Sequence, residues 1–127
     1  MINIYSMDDK VKTKLLLTSL KKSNAIYAVW YSNTCLYVGA SSNLLRRIGR
    51  FLWRKNIAAE NLWLEFIILG LRERKLNFRI EINLYDILVK AQLSDKEQEY
   101  NEKYNPLLNR SKIRYFTQYN QEKNGGQ

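Results

Sequence analysis

Asn24-Ala25-Ile26-Tyr27-Ala28-Val29-Trp30-Tyr31-Ser32-Asn33-Thr34-Cys35-Leu36-Tyr37-Val38-Gly39 is the stretch that decides the fold. Residues 25–31 and 35–39 are rich in β-branched and aromatic types and flank polar Ser32-Asn33-Thr34, so they read as a β-hairpin. Ile26, Ala28, Trp30, Leu36 and Val38 form a wholly apolar face that should meet the core. Tyr27, Val29, Tyr31, Cys35 and Tyr37 share the other face only if the loop holds an odd number of residues, because pairs across a hairpin project to one side. A loop of Ser32-Asn33-Thr34 pairs Tyr31 with Cys35 and Val29 with Tyr37. It then places Tyr27 and Tyr37 on one face.

Working outward, Gly39-Ala40-Ser41-Ser42-Asn43 reads as a turn, with Ser41 or Ser42 capping a helix over 43–55. Leu44, Ile48, Phe51 and Leu52 line one side of that helix, and Arg47, Arg50 and Arg54 line another at helical spacing. Upstream, 8–22 reads as a helix with Val11, Leu15, Leu16 and Leu20 as its apolar stripe. Downstream, 61–72 reads as a helix, although residues 64–69 also suit a strand. Residues 77–84 alternate as a strand, 85–92 are ambiguous, and 94–104 form a helix ended by Asn105-Pro106. These elements make an α+β fold, a small antiparallel three-stranded sheet flanked by helices. Residues 1–23 form an N-terminal helical extension packed on a domain over 24–110, and 111–127 a polar tail.

Composition limits the chemistry. The chain has 127 residues, 46% of them hydrophobic, which suits one domain with a real core. No apolar run is long enough to cross a membrane, and the first residues lack the order of a signal peptide. A single cysteine forms no internal disulfide, which fits a reducing, cytoplasmic or nucleoid-associated setting. The net charge of +9 suits a polyanionic partner, nucleic acid or an anionic membrane surface, or else a solvated basic face. There is no histidine. That excludes histidine-based nuclease sites, Cys₂His₂ fingers and Ser-His-Asp chemistry, and one cysteine excludes a Cys₄ zinc site. A metal here needs oxygen ligands, as Mg²⁺ or Mn²⁺ does, and a general base must be Tyr, Lys, Asp or Glu.

Tyr27, Tyr37, Arg47 and Glu97 follow one another in an order that carries further meaning. Ala25-Ile26-Tyr27 and Tyr37-Val38-Gly39 begin and end paired strands, Arg47 lies on the next helix, and Glu97 precedes Pro106-Leu107-Leu108-Asn109. Over roughly 24–110 the chain resembles the GIY-YIG nuclease family. The resemblance implies Mg²⁺-dependent hydrolysis of DNA phosphodiester bonds, with Mn²⁺ as the alternative cation. Tyr27 would be the base, Tyr37 would support it or position the water, Arg47 would contact the scissile phosphate, and Glu97 would bind metal. Gly39 and Asn109 would shape the site. Two positions depart from the family pattern: Ala25 stands for the first glycine, and Phe51 where many members carry a histidine.

Arg46, Arg50 and Arg54, with Lys112 and Arg114, would track the DNA backbone and make affinity salt-dependent. DNA is then the partner, with no membrane. Specificity would come from a homodimer, a separate partner or a branched DNA shape, and the chain would act as a freestanding endonuclease with a mobile-element, restriction or repair role. A non-cleaving nucleic-acid-binding module on the same fold is the alternative. Single residues also admit plainer roles. The tyrosines suit ordinary strand positions, Gly39 suits a turn, and Ser94-Asp95-Lys96-Glu97 is a capping box with Glu97 at its third helical position.

Overall fold

The hairpin closes on two residues, Ser32 and Asn33, between β2 (Asn24–Tyr31) and β3 (Thr34–Ser41). Ser32 takes a left-handed φ of 54° to make the turn. An even loop should have thrown Tyr27 and Tyr37 onto opposite faces. A β-bulge corrects this. Trp30 stands opposite Cys35 but Val29 opposite Tyr37, so Leu36 is the extra residue. The slip restores the expected pairing of Val29 with Tyr37 and sets Tyr27 opposite Gly39. It also exchanges two side chains relative to expectation. Leu36 joins the cluster around Tyr27, and Cys35 joins Ile26, Ala28 and Val38.

The computed structural model describes residues 1–54, 62–86 and 89–109. Within them the sheet has four strands in the order β1-β4-β2-β3, every neighbouring pair antiparallel, where three strands were expected. The additional strand is β1 (Ile2–Tyr5), which pairs with β4 (Arg79–Tyr85). Four residues are too few for a convincing alternation, and an edge partner decides the matter.

Both sheet faces are covered, so neither face of the hairpin is polar. Ala25, Tyr27 and Val29 meet Leu17 of α1 (Lys10–Ser19), Leu44, Ile48 and Phe51 of α2 (Leu44–Trp53), and Leu64 and Ile68 of α3 (Leu62–Glu73). Ile26, Ala28, Cys35 and Val38 meet Leu93, Tyr100 and Tyr104 of α4 (Lys90–Tyr104). The expected stripe on α1 is out of phase. Val11 and Leu15 are exposed, while Thr13 and Leu17 are buried and Leu20 is partly buried. Thr13 is admitted to that face because its hydroxyl donates to the Asp9 carbonyl at 2.8 Å. The helix is capped by Asp9, whose carboxylate accepts from the Lys12 N–H at 2.9 Å.

Candidate active site

Three segments come together around Tyr27: the middle of β2–β3, the first turn of α2 and the middle of α4. The β3–α2 junction is set by its small polar residues. Ser41 Oγ accepts from the Asn43 N–H at 3.0 Å, and the Asn43 side chain, rather than a serine, caps α2 by accepting from the Arg46 N–H at 3.2 Å. The cap starts the helix so that Arg47 falls in its first turn, facing back toward the tyrosines.

Tyr27 is 1% exposed. Its ring packs against Phe51 at 5.8 Å and Tyr37 at 6.1 Å between centroids. Its hydroxyl lies over Gly39. A Cβ at Gly39 would stand 2.5 Å from Tyr27 Cζ and closer still to the hydroxyl oxygen. No described glycine has a positive φ, so Gly39 is required for the room it leaves and not for a turn conformation. Here Phe51, in place of a histidine, forms part of the apolar wall around Tyr27.

Burial pushes the Tyr27 phenol well above its ordinary value. Tyr37 and Glu97 add to the rise, and the Arg47 charge opposes it. A hydrogen bond between the Tyr27 and Tyr37 hydroxyls adds to the rise. A phenol that serves as a base at neutral pH needs the opposite, a value lowered by nearby cations. Desolvation outweighs Arg47 because the ring is enclosed while the guanidinium is only partly buried. Glu97 is also raised by burial, with Arg47 pulling the other way. Tyr37, Arg47 and Glu97 are thus each close enough to Tyr27 to shift it, and Arg47 is close enough to shift Glu97.

Glu97 is not a capping residue. α4 begins at Lys90, so Ser94 and Glu97 lie inside it and the capping-box donors already have helical partners. Instead, Leu93, Glu97, Tyr100 and Tyr104 follow one another at helical intervals on the face that meets the sheet. No residue of α4 is fully buried. Hydroxyls help to dock it: Tyr85 and Tyr100 share a hydrogen bond of 2.7 Å, and Tyr104 donates to Glu81, a strand carboxylate that is 5% exposed. Tyr104 is pushed up to about 12, by burial first and then by Glu81.

Asn109 explains the Pro-x-x-Asn pattern. β3 is a sheet edge, and Asn109 closes it like a short strand. Its Oδ1 accepts from the Val38 N–H and its Nδ2 donates to the Val38 carbonyl, both at 3.1 Å. The Leu107 and Leu108 N–H groups donate to the Cys35 and Leu36 carbonyls at 3.1 and 2.9 Å. The left-handed Asn105 ends α4 and turns the chain toward this edge. The bulge and the Tyr37-Val38-Gly39 backbone are held on both sides.

Two depressions share a wall of Ala40, Ser41 and Ser42. One, of about 440 Å³, runs along α4 past Leu93, Ser94 and Glu97. The other, of about 290 Å³, lies against Arg46, Arg47 and Arg50. Arg46 is exposed. Arg50 is committed elsewhere in part, since its Nε lies 3.6 Å from Glu65 of α3, a pairing the sequence did not reveal. Arg54 is exposed beyond the last turn of α2 and lines neither depression. Lys112 and Arg114 fall outside the described residues. Among the described residues no three acidic or cysteine side chains gather as a multi-carboxylate metal site.

No protein-family model matches the sequence, and no curated protein is similar to it. Among solved structures that share the fold are two. Both are the GIY-YIG N-terminal endonuclease domain of UvrC from Thermotoga maritima, one bound to its catalytic divalent cation magnesium, the other a tyrosine-to-phenylalanine point mutant bound to its catalytic divalent cation. Identities are 17% and 16%, the TM-score is 0.51 for each, and the matches cover 81% of this chain and 99% of those. The chain therefore has a GIY-YIG nuclease-like fold. No helix among the described residues is long and apolar enough to cross a membrane.

Proposed function

We propose that this chain is a divalent-metal-dependent endonuclease that hydrolyses DNA phosphodiester bonds. The observation that carries the reading is a carboxylate, Glu97, on the sheet-facing stripe of α4, at the wall of a cleft and beside Arg47. A charge in that position costs desolvation energy, and packing alone would favour an apolar residue there.

The donor set suits Mg²⁺. That ion is content with one or two carboxylates plus waters and substrate phosphates, and Glu97 supplies one carboxylate with an open cleft beside it. A cation bound there supplies positive charge against the phosphate oxygens. Arg47, from the opposite side of the shared wall, holds the scissile phosphate and stabilises its added negative charge. The tyrosines act as a pair. Negative charge on Tyr27 is disfavoured by burial, so when the pair gives up a proton the charge resides on Tyr37, the partly exposed member, where the Tyr27 O–H stabilises it. Tyr37 then accepts the proton of the attacking water, and Tyr27 holds it in place.

The test is incubation of the protein with supercoiled, linear and branched DNA in Mg²⁺ and in EDTA, beside Glu97→Gln. Cleavage should require Mg²⁺ and vanish in Glu97→Gln, while the melting temperature stays within a few degrees because the cap is not involved. DNA binding should persist or tighten as a negative charge is removed. Glu97→Gln cutting at the wild-type rate would overturn the metal assignment, and binding without any wild-type cleavage would favour the non-cleaving module.

A further inference from the structure

The two depressions either side of Ala40, Ser41 and Ser42 differ in charge. The α2 side presents three arginines. The α4 side presents Glu97 and, among the residues that line it, one cation, Lys90. A DNA strand whose scissile phosphate sits between Arg47 and Glu97 must leave the site in both directions. Toward α2 its next phosphates meet arginines. Toward α4 the next phosphate meets a cleft whose other charge is a carboxylate, and like charges at this range repel. A cation held by Glu97 would offset its charge at the scissile phosphate, and the neighbouring phosphate would still lack a partner.

Lys90 is placed for that role. It is the first residue of α4, two turns before Glu97 on the same helix, and its side chain is exposed at the mouth of the cleft. The walls between them also suit a nucleotide. Ala40, Val89 and Leu93 are apolar enough for a sugar or base face, and Ser42 and Ser94 offer hydroxyls. Its volume of about 440 Å³ exceeds that of the arginine-lined depression, about 290 Å³.

We propose that the α4 cleft takes the nucleotide next to the scissile phosphate, with Lys90 holding that nucleotide's own phosphate. This rests on the nuclease reading but is tested by binding as well as cutting. Lys90→Gln removes the charge at an exposed position without threatening the fold. In EDTA, fluorescence anisotropy of a labelled duplex should show the salt slope reduced by about 0.9, the share of one duplex phosphate. Between about 50 and about 200 mM salt, wild type should then lose about 3.5-fold more affinity than the variant. In Mg²⁺ the loss should appear in KM and not in kcat, and Lys90→Arg should restore it. A duplex with a neutral methylphosphonate at the neighbouring position should lower the wild-type slope equally and leave Lys90→Gln unaffected.

A wild-type slope and KM in Lys90→Gln would overturn the assignment, as would a loss confined to kcat. Should the wild type fail to cut in Mg²⁺, the nuclease reading falls. The salt slopes then decide Lys90 by themselves: equal slopes overturn it, and a slope lower by about 0.9 in Lys90→Gln supports it.

Discussion

Gly39→Ala tests the contact on which the tyrosine pair rests. The added Cβ would stand 2.5 Å from Tyr27 Cζ and 2.9 Å from Cε1. Non-bonded carbons prefer about 3.5–4.0 Å, so the ring must retreat by about 1 Å. Tyr27 has nowhere to go, being 1% exposed and backed by Phe51 and Tyr37. Overpacking of this kind costs about 1–3 kcal/mol. An unfolding entropy of about 2.1 cal/mol/K per residue, summed over the chain, is roughly 270 cal/mol/K, so a 2 kcal/mol loss lowers the melting temperature by about 7 °C. If Gly39 only made a turn, alanine would be neutral or slightly stabilising, since its φ is not positive. The two cases therefore differ in sign. Thermal melts by circular dichroism decide between them, with a nicking assay alongside. A melting temperature equal to or above wild type refutes the packing argument, and normal cleavage refutes the claim that Tyr27 must lie over Gly39.

Arg50→Ala and Arg46→Ala should separate two uses of arginine on one helix. Arg50 faces Glu65, whose side chain is 8% exposed, so its removal leaves a nearly buried carboxylate and costs about 1–3 kcal/mol; Arg46 is exposed and its loss should weaken DNA binding at an unchanged melting temperature. Equal melting temperatures would show that Glu65 does not depend on Arg50. Tyr27→Phe should flatten the alkaline limb of stability. The folded value of Tyr27 is raised, so its stabilising share is complete below the unfolded value near 10 and is lost as pH rises toward the folded value. Above pH about 10 wild type should lose up to about 1.4 kcal/mol per pH unit more than the variant, with the raised Tyr100 and Tyr104 cancelling in the comparison. Denaturant melts at pH values from about 9 to about 11 measure it, and parallel curves would contradict the burial of a protonated Tyr27.

Much of the site could be read before folding was considered. Tyr27, Tyr37 and Arg47 lie in short elements whose local pattern is strong, and the strong apolar stripe of α2 left its arginines on the remaining face. Glu97 was legible in two forms. Ser94 and Glu97 fit a capping box, whereas Leu93, Glu97, Tyr100 and Tyr104 at core spacing mark a carboxylate on the sheet-facing side of the helix. That second pattern was available in the sequence and is the one on which the proposed role of Glu97 rests. Glu65 and Glu81 offered no such hint, because their burial depends on partners far along the chain, Arg50 and Tyr104.

What the sequence determined by itself was the longer elements, β1 and the first turn of α4 excepted, and the types of side chain each presents, because helix and strand periodicity are local properties of the backbone. Which face met which neighbour was decided by tertiary structure. The α1 stripe was chosen by α2 and the sheet, and admitted Thr13 in place of Val11. The fourth strand exists because β4 had an edge to pair. The tyrosines share a face because a bulge at Leu36 compensates a two-residue turn, and that bulge is held by Leu107, Leu108 and Asn109, some seventy residues later. Register is a property of a pair of strands and of whatever covers their edge, so one strand's sequence does not carry it.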